Sequence, residues 1–163
     1  MNNIAPLLTV DNVILDSDAN SRKRAFEEAS LLIEKSAGVS HQTIFDALIA
    51  REKLGSTCLG AGVAIPHGRV EGIEELTLAV VRCKQPIDFD TLDNRRARLL
   101  MVVAIPEADN EKYLDLLRDI VLMLKDRTYK DKLLNAQTPI ELCQIIGAWQ
   151  APDDDAEQTS EQN

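Results

Sequence analysis

A chain of 163 residues, 45% hydrophobic and 28% charged, is long enough to bury roughly two-thirds of its unfolded surface, which points to one globular domain. Its formal charge is −9, but the last thirteen residues supply five acids and no base, and without them 22 acids face 18 bases. That balance lacks the basic footprint a nucleic acid or an anionic membrane surface demands, and no apolar run reaches the ~18 residues of a membrane span.

Residues 1 to 20 read as an entry segment: Ile4 to Leu8, the apolar Val13-Ile14-Leu15, then a turn from Asp16 to Asn20. Ser21 is placed to cap a helix reaching about Ala37, because Ala25, Phe26, Ala29, Leu32 and Ile33 keep helical spacing and Gly38 stops it. Arg22, Lys23 and Arg24 in its first turn read as a solvated face. Ser40 caps a second helix to about Arg51, with Ile44, Phe45, Leu48 and Ile49 on one side. His41 falls in its first turn without a sign of chemistry. Arg51 falls in its last turn, where a cation complements the helix dipole.

Residues 51 to 68 hold four of the seven glycines, Gly55, Gly60, Gly62 and Gly68, and one of the two histidines, His67. Clustered glycines let backbone N–H groups converge on an anion. The run Val63-Ala64-Ile65 leads to Pro66, which fixes its own φ and biases Ile65 toward extended geometry, so His67 stands at the end of a predicted strand. It is either a structural turn residue or a chemically ready imidazole. Cys58, Cys83 and Cys143 are odd in number and scattered, as core residues of a cytoplasmic protein would be. Cys58, in the glycine-rich loop, is the one placed for reactivity.

Beyond this loop, residues 76–83, 87–89 and 97–105 are strand candidates, apolar enough to be covered on both faces, with Pro86 and Asp93-Asn94 punctuating the connections. Asp109 is placed to cap a helix over 110–125, apolar at Tyr113, Leu114, Leu117, Ile120, Val121 and Leu124. A short helix follows over 128–134. Thr138, Pro139 and Glu141 then form cap, first turn and capping box of a last helix with Leu142, Cys143, Ile146 and Trp149 on its apolar face. From Ala151 onward the acidic and amide residues read as a disordered tail, so the expected division is a domain over 1–150 and a tail over 151–163. Helices before, between and after strands give an α/β layer fold with helices on both faces of a sheet.

A neutral imidazole attacks an activated phosphoryl group, and such transfer needs positioning and charge neutralisation more than covalent help. Arg51 offers a guanidinium fork, Ser56 and Thr57 offer hydroxyls, and Gly60 and Gly62 offer backbone N–H groups. Nothing has zinc-ligand spacing, so no metal is expected, and no Walker motif implies use of ATP. No Ser-His-acid or Cys-His spacing suggests a hydrolase.

The run Arg51-Glu52-Lys53, Gly55-Ser56-Thr57 and Gly60-Ala-Gly-Val-Ala-Ile-Pro-His-Gly68 resembles the active-site signature of bacterial phosphotransferase-system IIA proteins of the mannitol/fructose type, within them the nitrogen-regulatory branch (IIA-Ntr). The likeness spans roughly residues 5 to 148 and takes in Phe89 to Asn94 and Leu99 to Pro106. It implies a mixed β-sheet flanked by helices on both faces and no cofactor. It also implies phosphorylation of His67 on Nε2 (tele-phosphohistidine) by an HPr/NPr-like histidine phosphocarrier, with Arg51 beside the phosphoryl group and Ser56 and Thr57 shaping the pocket. Regulatory targets of relatives include a potassium transporter and a sensor kinase, and the implied role is a phosphoryl-transfer component rather than a turnover enzyme. The alternative is a sugar-specific IIA subunit passing phosphate to a separate IIB. Many relatives carry a second histidine where this chain has Tyr113, with Asp115 two residues on; a phenol donates a hydrogen bond but lacks an imidazole's titration near pH 7. That departure fits a regulatory end-station better than onward transfer.

Overall fold

The two longest apolar runs form the two central strands of a six-stranded sheet, in a computed structural model that describes residues 1–109 and 111–152. In chain order the elements are two 3-10 turns (Ala5–Leu7 and Val10–Asn12), β1 (Val13–Ser17), α1 (Arg22–Ala37), α2 (His41–Lys53), β2 (Cys58–Gly60), β3 (Gly62–Ala64) and β4 (His67–Val70). There follow β5 (Thr77–Asp88), β6 (Arg96–Pro106), α3 (Lys112–Lys125), α4 (Arg127–Asn135) and α5 (Pro139–Ala148). The sheet runs β1-β5-β6-β3-β2, with β4 also on β6. β5 lies antiparallel to β6, while β1 on β5 and both β3 and β4 on β6 are parallel. It is the expected mixed sheet.

Side chains alternate between faces along a strand, and here both faces are covered. Ala79, Val81, Leu100, Val102 and Ala104 join the core beneath α1 and α2. Their neighbours Leu78, Val80, Leu99, Met101, Val103 and Ile105 join Leu116, Ile120, Leu142 and Ile146 beneath α3 and α5. This two-sided burial is why the central strands read as unbroken apolar runs.

The helix starts follow local cap chemistry. Ser21 Oγ accepts from Arg24 N–H, Ser40 Oγ from Gln42 N–H and Thr138 Oγ1 from Glu141 N–H. Gly38 ends α1 at φ 73°, where glycine has no steric penalty. Three expectations need correction. Pro86 does not separate two strands: β5 passes through it, with a register shift between Arg82 and Ile87 that lets a residue without an N–H sit in a strand. α3 begins at Lys112, and its N-cap is Glu111, without a side-chain bond, in place of Asp109. Arg22 turns inward to Phe89 O at 3.1 Å and to within 3.8 Å of the Glu52 carboxylate, whereas Lys23 and Arg24 stay exposed.

Ala151 packs against the core beneath α3 and α5, and the expected tail beyond Pro152 lies outside the described residues. Among those described, no helix is long and apolar enough to cross a membrane.

Candidate functional site

β3 and β4 form one strand line along β6, interrupted at Ile65-Pro66: Ala64 stands opposite Leu100 and His67 opposite Val103. Val103 N–H donates to Pro66 O at 2.9 Å, so the proline's carbonyl keeps the interrupted edge attached. His67 therefore opens β4 rather than ending the strand before it. Next to it Gly68 lies so close to α2 that a Cβ there would stand 2.9 Å from Ala47 O. This contact brings the last turn of α2, with Arg51 and Glu52, to the His67 corner.

His67 is half-buried, and its Nδ1 lies 2.8 Å from Ile65 O. A carbonyl only accepts, so Nδ1 carries the ring proton and Nε2 keeps its lone pair. Burial holds the imidazole below its ordinary 6.5, with Arg51 pushing the same way; the Ile65 bond and Glu52 partly oppose them. The ring is therefore mainly neutral at pH 7, with the Nε2 lone pair available.

Arg51 Nη1 donates to Gly55 O at 2.9 Å, which fixes the guanidinium at the mouth of the loop. The hydroxyls of Ser56 and Thr57 both go to Glu52, at 2.9 and 2.6 Å, and Thr57 N–H donates to the same carboxylate at 3.1 and 3.2 Å. Neither hydroxyl is thus a free donor toward His67. Gly60 and Gly62 lie elsewhere. They flank Ala61 in the β2–β3 turn, at φ 80°, 53° and 86° in order. Gly62 pairs at the level of Ala97 and His67 at the level of Val103, so five residues of extended chain separate them, about 16 Å at ~3.3 Å per residue. Their N–H groups shape the hairpin, not the His67 corner. Cys58 is buried with its thiol pushed up by desolvation, and it lacks the thiolate character of a reactive site.

Tyr113, in the first turn of α3, lies under the guanidinium of Arg69, 4.9 Å from ring centroid to Cζ. Arg69 is two residues beyond His67 on β4, and its Nη1 also donates to Pro106, Glu107 and Asp109 carbonyls at 3.2, 3.3 and 2.6 Å. Arg69 thus ties the strand of His67 to the start of α3; Asp115 is exposed there.

Sequence reasoning missed Glu52 and Arg69. A signal for Glu52 was present: Ser56 and Thr57 stand four and five residues on, within reach of a carboxylate at a helix end. Nothing local marks Arg69, because its acceptors are about forty residues away.

A family model described as "Phosphoenolpyruvate-dependent sugar phosphotransferase system, EIIA 2" matches residues 6–148. A nitrogen regulatory protein of Pseudomonas aeruginosa is 41% identical over 141 residues, which cover 86% of this chain and 92% of that one. The crystal structure of nitrogen regulatory protein IIA-Ntr from Neisseria meningitidis superimposes with a TM-score of 0.82 at 36% identity, over 87% of this chain and 97% of that one. The mannitol IIA of Escherichia coli shares the fold, with a TM-score of 0.72 at 23% identity over 85% of this chain and 98% of its own. The His67 corner and the sheet that carries it fall inside the family match, and the chain belongs to the EIIA 2 family of the phosphoenolpyruvate-dependent sugar phosphotransferase system.

Proposed function

We propose that this protein is a regulatory IIA component of a phosphotransferase system that accepts a phosphoryl group on His67 Nε2 from an HPr/NPr-like histidine phosphocarrier in the cytoplasm. Its phosphorylation state then biases the binding of target proteins, for which a potassium transporter and a sensor kinase are the candidate classes. The observation that supports this most is the tautomer of His67: Nδ1–H is held by Ile65 O, and Nε2 is left unprotonated.

In the transfer, the P–N bond of a donor phosphohistidine breaks as the Nε2–P bond forms. A donor ring protonated on its second nitrogen leaves as neutral imidazole. His67 keeps its Nδ1 proton on Ile65 O, which offsets the positive charge its ring acquires, so protons balance without a metal or an added base. Arg51 is the cation at hand for the phosphoryl oxygens, and the contact of Tyr113 with Arg69 ties the start of α3 to the strand of His67.

The test mixes the purified protein with phosphoenolpyruvate, the first enzyme of the system and a histidine phosphocarrier. The expected result is an acid-labile mass gain of one phosphoryl group, absent in His67→Ala. A wild-type protein that gains nothing from any competent carrier sinks the proposal. Adding a IIB protein separates the two roles, because a sugar-specific subunit would discharge to it at once.

A further inference from the structure

Glu52 occupies a place that an apolar residue would fill at less cost. Its side chain is 2% exposed, and its nearest cation, Arg22, stands 3.8 Å away and gives its hydrogen bond to Phe89 O instead. Burying a carboxylate with so remote a counter-charge works against stability unless hydrogen bonds replace the lost water. Three groups provide them: Ser56 O–H, Thr57 O–H and Thr57 N–H. All belong to the loop between Arg51 and His67.

We infer that Glu52 is a positioning residue that presets this loop and, through it, both His67 and Arg51. Two chains of contacts lead outward from its carboxylate. Along the first, Thr57 is held by Glu52, Thr57 O accepts from Ile65 N–H at 3.1 Å, and Ile65 O accepts from His67 Nδ1 at 2.8 Å. Along the second, the loop fixed at Ser56 and Thr57 holds the neighbouring Gly55 carbonyl, which accepts from Arg51 Nη1 at 2.9 Å. One buried carboxylate therefore sets which nitrogen of His67 is free and where the guanidinium of Arg51 stands. Its importance for phosphoryl transfer rests on the function proposed above; its hold on the His67 tautomer does not.

The experiment compares wild type, Glu52→Gln and Thr57→Val by the ring-nitrogen shifts of 15N-labelled His67 and by the rate of phosphoryl acceptance against carrier concentration. Thermal melting first establishes that each variant is folded. In Glu52→Gln an amide must face three donors while adding two of its own, so the loop loses its single arrangement. The expected result is a mixture of both His67 tautomers where wild type shows one. The maximal rate falls between about tenfold and a hundredfold, as a misplaced reacting group requires. Half-saturation by the carrier stays unchanged, because Glu52 is buried and out of reach of a docking partner. Thr57→Val deletes one donor, keeps the side-chain shape and moves both readouts the same way by a smaller amount; it carries the test should Glu52→Gln not fold. Wild-type nitrogen shifts or a wild-type maximal rate in a folded variant overturns the inference. A wild-type protein that cannot be phosphorylated while Glu52→Gln still scrambles the tautomer would reject the proposed function and leave the positioning role standing.

Discussion

Gly68 offers a quantitative test of how the His67 corner is built. In Gly68→Ala the new Cβ would meet Ala47 O at 2.9 Å and Ala47 C at 3.1 Å, both backbone atoms of α2. Ordinary contact begins near 3.4 Å, so the helix must retreat by about half an ångström. Overpacking of this kind costs about 1–3 kcal/mol. The reduced freedom of the unfolded chain returns ~0.4–1 kcal/mol, since the φ of Gly68 is one alanine can adopt. The net loss is about 1–2 kcal/mol, or roughly 2–8 °C in melting temperature for a domain of this size. Gly147 is the control. It sits exposed in the last turn of α5 with nothing within 4 Å of a new Cβ, so Gly147→Ala gains about 0.5–1 kcal/mol from helix propensity alone. Thermal melting reads both, and the phosphorylation assay adds a second readout: Gly68→Ala shifts Arg51 and Glu52 and slows acceptance, while Gly147→Ala leaves it unchanged. Melting temperatures that move in the same direction for both variants, or a Gly68→Ala protein with wild-type stability and rate, would refute the close packing of β4 on α2.

Because burial and Arg51 both depress the His67 imidazole, acceptance of phosphate should stay level as pH falls through 6.5 and decline only further down. Arg51→Ala moves that acid limb upward, which a pH–rate profile reads. The stability linkage has a matching sign: unfolded His67 binds its proton near 6.5 while the folded ring stays neutral, so its contribution is complete above that value and is lost as pH drops toward the folded pKa. His67→Ala removes this part of the slope in urea melts at pH 5 to 7. Tyr113→Phe keeps the ring beneath Arg69 and should change stability little, whereas Tyr113→Ala loses the contact of the cation with the ring, about 0.5–1 kcal/mol at an exposed site; equal melting temperatures for the two would contradict the stacking. Ser21→Ala removes the α1 cap bond and should cost about 1 kcal/mol by chemical denaturation.

Much of the fold was legible because its signals are local. Ser21, Ser40 and Thr138 announce α1, α2 and α5 through bonds that reach only two or three residues. The misread parts are those settled by distant partners. Pro86 signals a break to any local reading, but pairing with β6 on both sides of the bulge carries β5 through it. The start of α3 was misplaced because the turn before it is held by Arg69 rather than by an aspartate cap. The site divides in the same way. His67 and Arg51 stand out by residue type and by their places at a proline corner and a helix end. Gly60 and Gly62 were drawn into the site by nearness in sequence, yet a hairpin carries them to the far end of the strand line. The spacing of Ser56 and Thr57 after Glu52 hints at their use, but only the burial of Glu52 beneath them turns their hydroxyls away from His67.

The electrostatics of this corner bear on the role proposed for it. Many phosphate sites use a helix N-terminus, where free N–H groups favour an anion. Here α2 presents its C-terminal turn, whose free carbonyls carry partial negative charge, and the buried Glu52 carboxylate lies behind it. On the proposed reading, a phosphoryl group on His67 adds nearly two negative charges to an end that is already unfavourable to them. The cations of that turn are Arg51 and Lys53, and the fork of Arg51 is partly committed to Gly55 O. A phosphoryl group must therefore compete with that carbonyl for the guanidinium. Any shift of Arg51 is felt in the Gly55 loop, beside Leu54, which stands 85% exposed. On that reading the arrangement would hold the group weakly and couple its arrival to the outer surface, as a reversible signal requires, whereas a helix N-terminus would favour keeping it.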